Sequence, residues 1–461
     1  MQLTKGAIGN LINRYKAVLK KCHLMNTFGS LAVAGMLVMG GAGVAGAAIT
    51  TGQDFNDAVT NAKPGDTITL GQDIKEGVGA VFTGKTVTVD FGGHTYTGYS
   101  DSVGSKKTKT QLFQLLKESP AVTLKNGILN IATSPAESGE FKMVLQNYCD
   151  LTLDNMVVDG TNLLGDGTYT MSNNHGDITI NNSTIIAKKS GVAFDVFYWP
   201  ANSCGDGVSV TVNNSTINGK IEVTVDGSAA LKDGAKHQLT LTGGTLTGGL
   251  TAAQGAQLYN EGVAMAGNTA TDKGGAIFNS DDKTGAKGDL TLNNVDLKGN
   301  KANFGGAIWN EGTLTVNGGS FEGNTANIAG AIYNANNANL SINGTRFEGN
   351  TAAIAGAVNN QYNNSHITAI TDAVFVNNTA SLSAGGALRN QGSIDSIAGT
   401  TFEGNTAGNG GALWNGAGGT ITSITDTTFT GNKSTNAVVG GGAITNAGVI
   451  TISATTFTGN T

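Results

Sequence analysis

Few side chains in this chain are of a type and spacing that could do chemistry. His94, in Phe91-Gly-Gly-His-Thr, and His175, in Asn173-Asn-His-Gly-Asp, are the best acid–base candidates, each beside glycine. Asp281-Asp282 is the one adjacent acidic pair in the repetitive C-terminal half, and it lies in Ser280-Asp-Asp-Lys-Thr-Gly, a loop composition. Glycosidase chemistry needs two carboxylates about 5–10 Å apart. A lyase acting on acidic sugars needs a basic group beside a calcium-holding acidic cluster. Neither pattern accompanies either histidine, and calcium-binding Gly-Gly-x-Gly-x-Asp repeats are absent. Cys149 and Cys204 could pair as a disulfide in an oxidising compartment, and neither has metal-ligand spacing around it. The sequence therefore gives no catalytic residue, no metal site and no cofactor, and the expectation is a protein that is not an enzyme.

What the chain does contain is a repeat. Phe321, Phe347, Phe375, Phe402, Phe429 and Phe457 each open a phrase close to Phe-Glu-Gly-Asn-Thr-Ala, at intervals of 26 to 28 residues. Between them stands Gly-Gly-Ala-Ile or a near copy, and three residues after each of its alanines comes Asn279, Asn310, Asn334, Asn360, Asn390, Asn415 or Asn446. A third phrase alternates apolar residues with threonine and closes on a turn pair, as in Val122-Thr-Leu-Lys-Asn, Ile178-Thr-Ile-Asn-Asn and Leu314-Thr-Val-Asn-Gly. Period-two alternation makes a strand with one buried face, and Asn-Asn or Asn-Gly tolerates the positive φ of a tight turn. The step from Leu239 to Leu290 is double the usual interval, so it hides one further coil.

Several short strands per repeat, with no crossover helix, predict a solenoid. The expected fold is all-β: a right-handed parallel β-helix of about 15 coils of 24–32 residues, a rod of roughly 70 Å at the ~4.8 Å strand spacing. Phe55, Ala58, Val59 and Ala62 predict a short capping helix before Pro64. The phenylalanines and the post-alanine asparagines are expected to stack as structural ladders, with the asparagine amides bonding from coil to coil. Residues 100–109 and 194–204 break the rhythm; the aromatic run Phe194 to Pro200 is expected on a loop or flank, and both stretches are expected to carry recognition.

Glycine supplies 69 of 461 residues and charged residues only 13%, which excludes collagen and charge-driven disorder. Residues 1–47 carry five basic side chains and no acid, then an apolar run from Leu31 to Val44 and a small-residue cleavage site ending at Ala47. Export with cleavage after Ala47 is expected, followed by a cap and first coils over 48–120, an irregular β-helix over 121–264 and the regular repeats over 265–461. Cleavage removes Arg14 and leaves only Arg346 and Arg389, so nucleic acid is not expected as a partner.

The alternation of Gly-Gly-Ala-[Ile/Leu/Val], as at Gly306, Gly386, Gly411 and Gly442, with Phe-x-x-Asn resembles the repeat of the chlamydial polymorphic outer membrane proteins and related autotransporter passengers. The long basic front likewise resembles the extended signal peptides of large autotransporters. The resemblance covers residues 265–461 and implies a surface-exposed β-helical passenger that acts in adhesion, with a host surface protein or glycan as partner. It also implies outer-membrane anchoring through a C-terminal β-barrel, which these residues do not include, so Thr461 is expected to be a cut in a longer protein or the end of a truncated gene. A secreted polysaccharide-degrading enzyme and a passive surface spacer are the alternatives.

Overall fold

The computed structural model describes residues 49–104, 109–189, 191–196, 207–223, 237–252, 257–261, 264–279, 288–436 and 440–461. The chain divides into two compact units at Ala47/Ala48, and all described residues belong to the second. That unit is a right-handed parallel β-helix. Every inter-strand ladder between named strands is parallel, and each strand pairs with its counterpart one coil away. One sheet takes a strand from each of 14 coils, against the ~15 expected from the repeat.

One coil shows how the phrases build the fold. Thr313–Asn317 is the alternating strand, with Leu314 and Val316 in the core. The chain turns at Gly318 in the left-handed region (φ 67°), where neighbouring coils place Asn294 (φ 51°) or Asp372 (φ 50°). Ser320–Glu322 follows and buries Phe321. Thr325–Ile328 then adds to a five-stranded sheet, Gly330-Ala331 makes the next corner, and Ile332–Asn334 joins the 14-stranded sheet. A side-chain carbon on Gly306 would overlap the carbonyl oxygen of Gly330, so this corner admits only glycine.

The phenylalanines stack as the repeat predicts. Ring centroids from Phe321 to Phe457 lie 4.6–5.0 Å apart with near-parallel planes. The first five rings are fully buried. The double interval does hide a coil: Gln257–Glu261 pairs with Gln238–Thr242 on one side and Asp289–Asn293 on the other, without the apolar–threonine spelling of its neighbours.

At the N-terminal end a helix, α1 (Gly52–Asn61), covers the first coils. Thr51 caps it by accepting the Asp54 amide at 3.1 Å. Phe55 reaches down to rings 4.7 Å (Tyr96) and 5.3 Å (Phe113) away, closing the core with aromatics. The aromatic run expected on a loop is different in its first part. Val192–Val196 is a strand of the 14-stranded sheet, with Phe194 and Val196 fully buried, and because all five of its residues are buried no period-two signal marks it.

Two asparagine ladders seal the corners. From Asn279 to Asn446 each Nδ2 donates to the next Oδ1 at 2.7–2.9 Å. The second ladder runs through Asn268, Asn300, Asn324, Asn350, Asn378, Asn405, Asn432 and Asn460. There each asparagine also donates its backbone N–H to the next Oδ1, as Asn324 does to Asn350 at 3.0 Å. Its Nδ2 reaches the carbonyl of the stacked residue of the preceding coil, as Asn350 does to Phe321 at 2.9 Å. Asn350→Ala removes both donated bonds and strands the buried Asn324 amide and Phe321 carbonyl. A loss of about 3–5 kcal/mol is expected, measured by urea unfolding of the full chain.

Candidate binding face

The central residue of each short strand in the 14-stranded sheet points away from the core, because its two neighbours point in. In register these residues form one column on the outer side of the sheet: Gln114, Gln146, Ser172, Asp195, Glu222, Phe278, Trp309, Tyr333, Asn359, Arg389, Trp414 and Thr445, of which Ser172, Asp195, Trp309, Tyr333 and Asn359 are covered by their neighbours. Rungs stand about 4.8 Å apart, so neighbouring side chains touch along the column.

Its N-terminal part is polar. Gln114 donates to Gln146 at 2.9 Å. Asp195, 8% exposed, accepts the Asn173 backbone amide at 2.6 Å and lies beside the Ser172 hydroxyl at 3.4 Å. Glu222 on the next coil is held by Lys220 at 2.6 Å and by the Tyr169 hydroxyl at 3.2 Å. Burial pushes the Asp195 carboxyl up to about 7, with Glu222 adding to the rise, while the Asn173 amide and Ser172 oppose it. The Tyr169 phenol is pushed up to about 12 by burial and by the two carboxylates.

The middle part is aromatic. Trp309 and Tyr333 stack at 4.2 Å and 12°, and Phe304 meets both edge-on. With Phe278, Ile328, Ala329 and Ala335 they form a second apolar cluster outside the main core. Lys273 lies 4.2 Å over the Trp309 ring and pairs with Glu311 at 3.0 Å. The C-terminal part mixes both chemistries. The Arg389 guanidinium lies 4.9 Å over the Trp414 ring and donates to Asn359 and Gln361 at 3.0 and 2.9 Å.

The residues singled out in the sequence fall elsewhere. The post-alanine asparagines and the stacked phenylalanines are scaffold, buried except at the last coil, where Asn446 and Phe457 are exposed. Cys149 is a free, buried thiol pushed up to about 12 by burial; Cys204 lies outside the described residues. So do residues 1–47 with the cleavage position, 105–108, 197–206 and the Asp281-Asp282 pair. His94 pairs with Asp73 at 3.3 Å beside the capping helix, whereas burial and Lys117 lower the His175 imidazole on a separate coil. The sequence did hold a signal for the outward column. It is the residue between Ile and Asn in Gly-Gly-Ala-Ile-x-Asn, which changes type at every coil while its neighbours stay constant.

A family model matches two short segments of the chain, residues 262–280 and 399–416: the Chlamydia polymorphic membrane protein repeat. The chain carries this repeat. In the structure each matched segment runs from the stacked position (Met265 or Phe402) through one asparagine ladder to the other, and so includes one outward residue, Phe278 or Trp414. No curated protein and no solved structure matches the chain. Repeat and β-solenoid together fit an autotransporter-like passenger.

The buried Asp195 gives the column a pH signature. Its folded-state value lies above the unfolded 3.8, so the protonated form is favoured by folding and stability is lost as pH rises from about 4 to 7. The slope is at most about 1.4 kcal/mol per pH unit. Urea midpoints are expected to fall over that range in the native chain, and Asp195→Asn is expected to flatten the change.

Proposed function

We propose that this chain is the exported, surface-displayed passenger of an autotransporter-like protein and that it acts in adhesion, binding a host surface protein or glycan and performing no catalysis. The observation that carries this reading is the outward column. On a scaffold whose inward residues repeat from coil to coil, one position per coil on the outer side of the sheet varies, and over residues 278–414 it presents the part-exposed Phe278, Arg389 and Trp414, braced by the covered Trp309, Tyr333 and Asn359. Rigid aromatics and arginine are the side chains that dominate recognition surfaces, and here they are held on strands, which fixes their spacing.

Export is supported by the basic front, apolar run and small-residue site of residues 1–47, and surface location by the repeat's kinship with a membrane protein family. The mature chain then begins at Ala48, which N-terminal sequencing of the exported protein checks.

Display of residues 48–461 on a non-adherent cell is expected to confer binding to host cells or matrix. Joint replacement Phe278→Ala, Arg389→Ala and Trp414→Ala is expected to reduce that binding severalfold at equal surface level. No gain in binding on display sinks the adhesive reading, and a gain untouched by the triple replacement moves it off this face.

A further inference from the structure

Between the corner asparagines and the alternating strands, the connecting turns differ in length. They are two residues at Glu311–Gly312, four at Ala335–Ala338, five at Gln361–Ser365, two at Gln391–Gly392 and four at Gly416–Gly419. The five-residue turn therefore stands proud beside a short one. Ser365 braces it: its Oγ accepts the Tyr362 amide at 3.0 Å and donates to the Tyr362 carbonyl at 2.6 Å. The Tyr362 ring projects from this brace, 45% exposed, and lies near Tyr333 of the neighbouring coil.

The recess beside it is a shallow cavity of about 510 Å³, lined by Asn336, Gln361, Tyr362, Asn363, Asn364 and Gln391. That size lies within the range of small-ligand sites, about 300–1,000 Å³. Its lining is one aromatic ring and five amides, with no charged and no aliphatic side chain. The amides are oriented in advance. Arg389 and Asn359 both donate to the Gln361 oxygen, at 2.9 and 2.7 Å, and Gln361 donates to the Gln391 oxygen at 3.1 Å, which leaves the Gln391 NH2 as the outer end of the chain of bonds. Asn364 donates to Asn337 at 2.7 Å, fixing the opposite wall. The glycine-rich turn beyond makes room: a side chain on Gly418 would press on Asn363, and one on Gly416 on the Trp414 ring.

We propose that this recess is a subsite for a neutral oligosaccharide. Tyr362 offers its face to the C–H side of a pyranose, and the amides, each both donor and acceptor, meet vicinal hydroxyls or an N-acetyl group. A protein partner would need apolar anchor pockets, which this lining lacks. An acidic glycan would need a free cation, and Arg389 is already shared between two amides and the Trp414 ring. The proposal rests on the adhesive reading and names its ligand.

The test uses the purified full chain with maltohexaose, cellohexaose, chitohexaose and lacto-N-tetraose, against sialyllactose and a heparin hexasaccharide. Saturation-transfer NMR and titration calorimetry are the readouts. Binding of at least one neutral oligosaccharide is expected, weakened about tenfold or more by Tyr362→Ala and by Gln391→Ala with unchanged thermal midpoint, and retained by Tyr362→Trp. No neutral binding, equal affinity in Tyr362→Ala, or preference for the heparin fragment overturns the proposal. Display on cells separates the two readings. Adhesion that neither the variants nor the neutral oligosaccharides diminish defeats the subsite and leaves adhesion standing. Oligosaccharide binding at Tyr362 by a chain that confers no adhesion does the reverse.

Discussion

The whole solenoid depends on amide groups that one coil cannot satisfy alone. A buried asparagine in water-free surroundings needs partners for two donors and an acceptor, and here most of them belong to the coil before or after. Asn324 illustrates it: its side chain donates to Asn350 and to the Leu297 carbonyl, and its backbone amide donates to Asn350 as well. A coil displaced by one residue would break all of these at once and turn every apolar side chain outward. Register is thereby fixed by polar groups, while the stacked rings and the Leu, Ile and Val of the alternating strands supply the burial.

That division of labour explains the composition. Charges are unwelcome at sites bonded on every side, so the interior runs on asparagine, glycine and alanine, and ion pairs such as Lys298–Glu322 and Arg346–Glu348 stay on the surface. Glycine recurs because carbonyls of adjacent coils approach too closely for a side chain at Gly306, Gly330, Gly356 and Gly386. The scaffold constrains one residue class at each of these places and leaves the outward position of each short strand unconstrained by the core.

Much of this was legible in the residues. Phe321 to Phe457 and the post-alanine asparagines repeat at a period that only stacking explains, and the apolar–threonine phrases gave the strands directly. The capping helix was visible because Phe55 and Val59 share one face. Less legible were features that need register. The second asparagine ladder was written in Phe-x-x-Asn, but the spacing alone does not say that Asn324 faces inward. The strand Gln257–Glu261 lacks the usual spelling, and only its neighbours reveal it. Phe194 looked like the start of an aromatic loop because Val192–Val196 carries no period-two signal: all five of its residues, Asp195 among them, are buried. The outward column was marked only by contrast, as the one position in Gly-Gly-Ala-Ile-x-Asn that does not recur, and its exposure needs the register of the coils to be seen.

The turn at Gly318, the corner at Gly330 and the two ladders make each coil an interchangeable unit. Duplicating or deleting one whole coil would preserve the two asparagine ladders and the glycine corners, since at those places each coil presents the same atoms above and below. The outward column would nevertheless be spliced anew: loss of the coil bearing Tyr333 would set Trp309 beside Asn359, and the recess under Tyr362 would lose its floor. Unequal recombination between repeats can thus rewrite this column while remaining silent to the fold, a route to a varied outer surface that requires no new core.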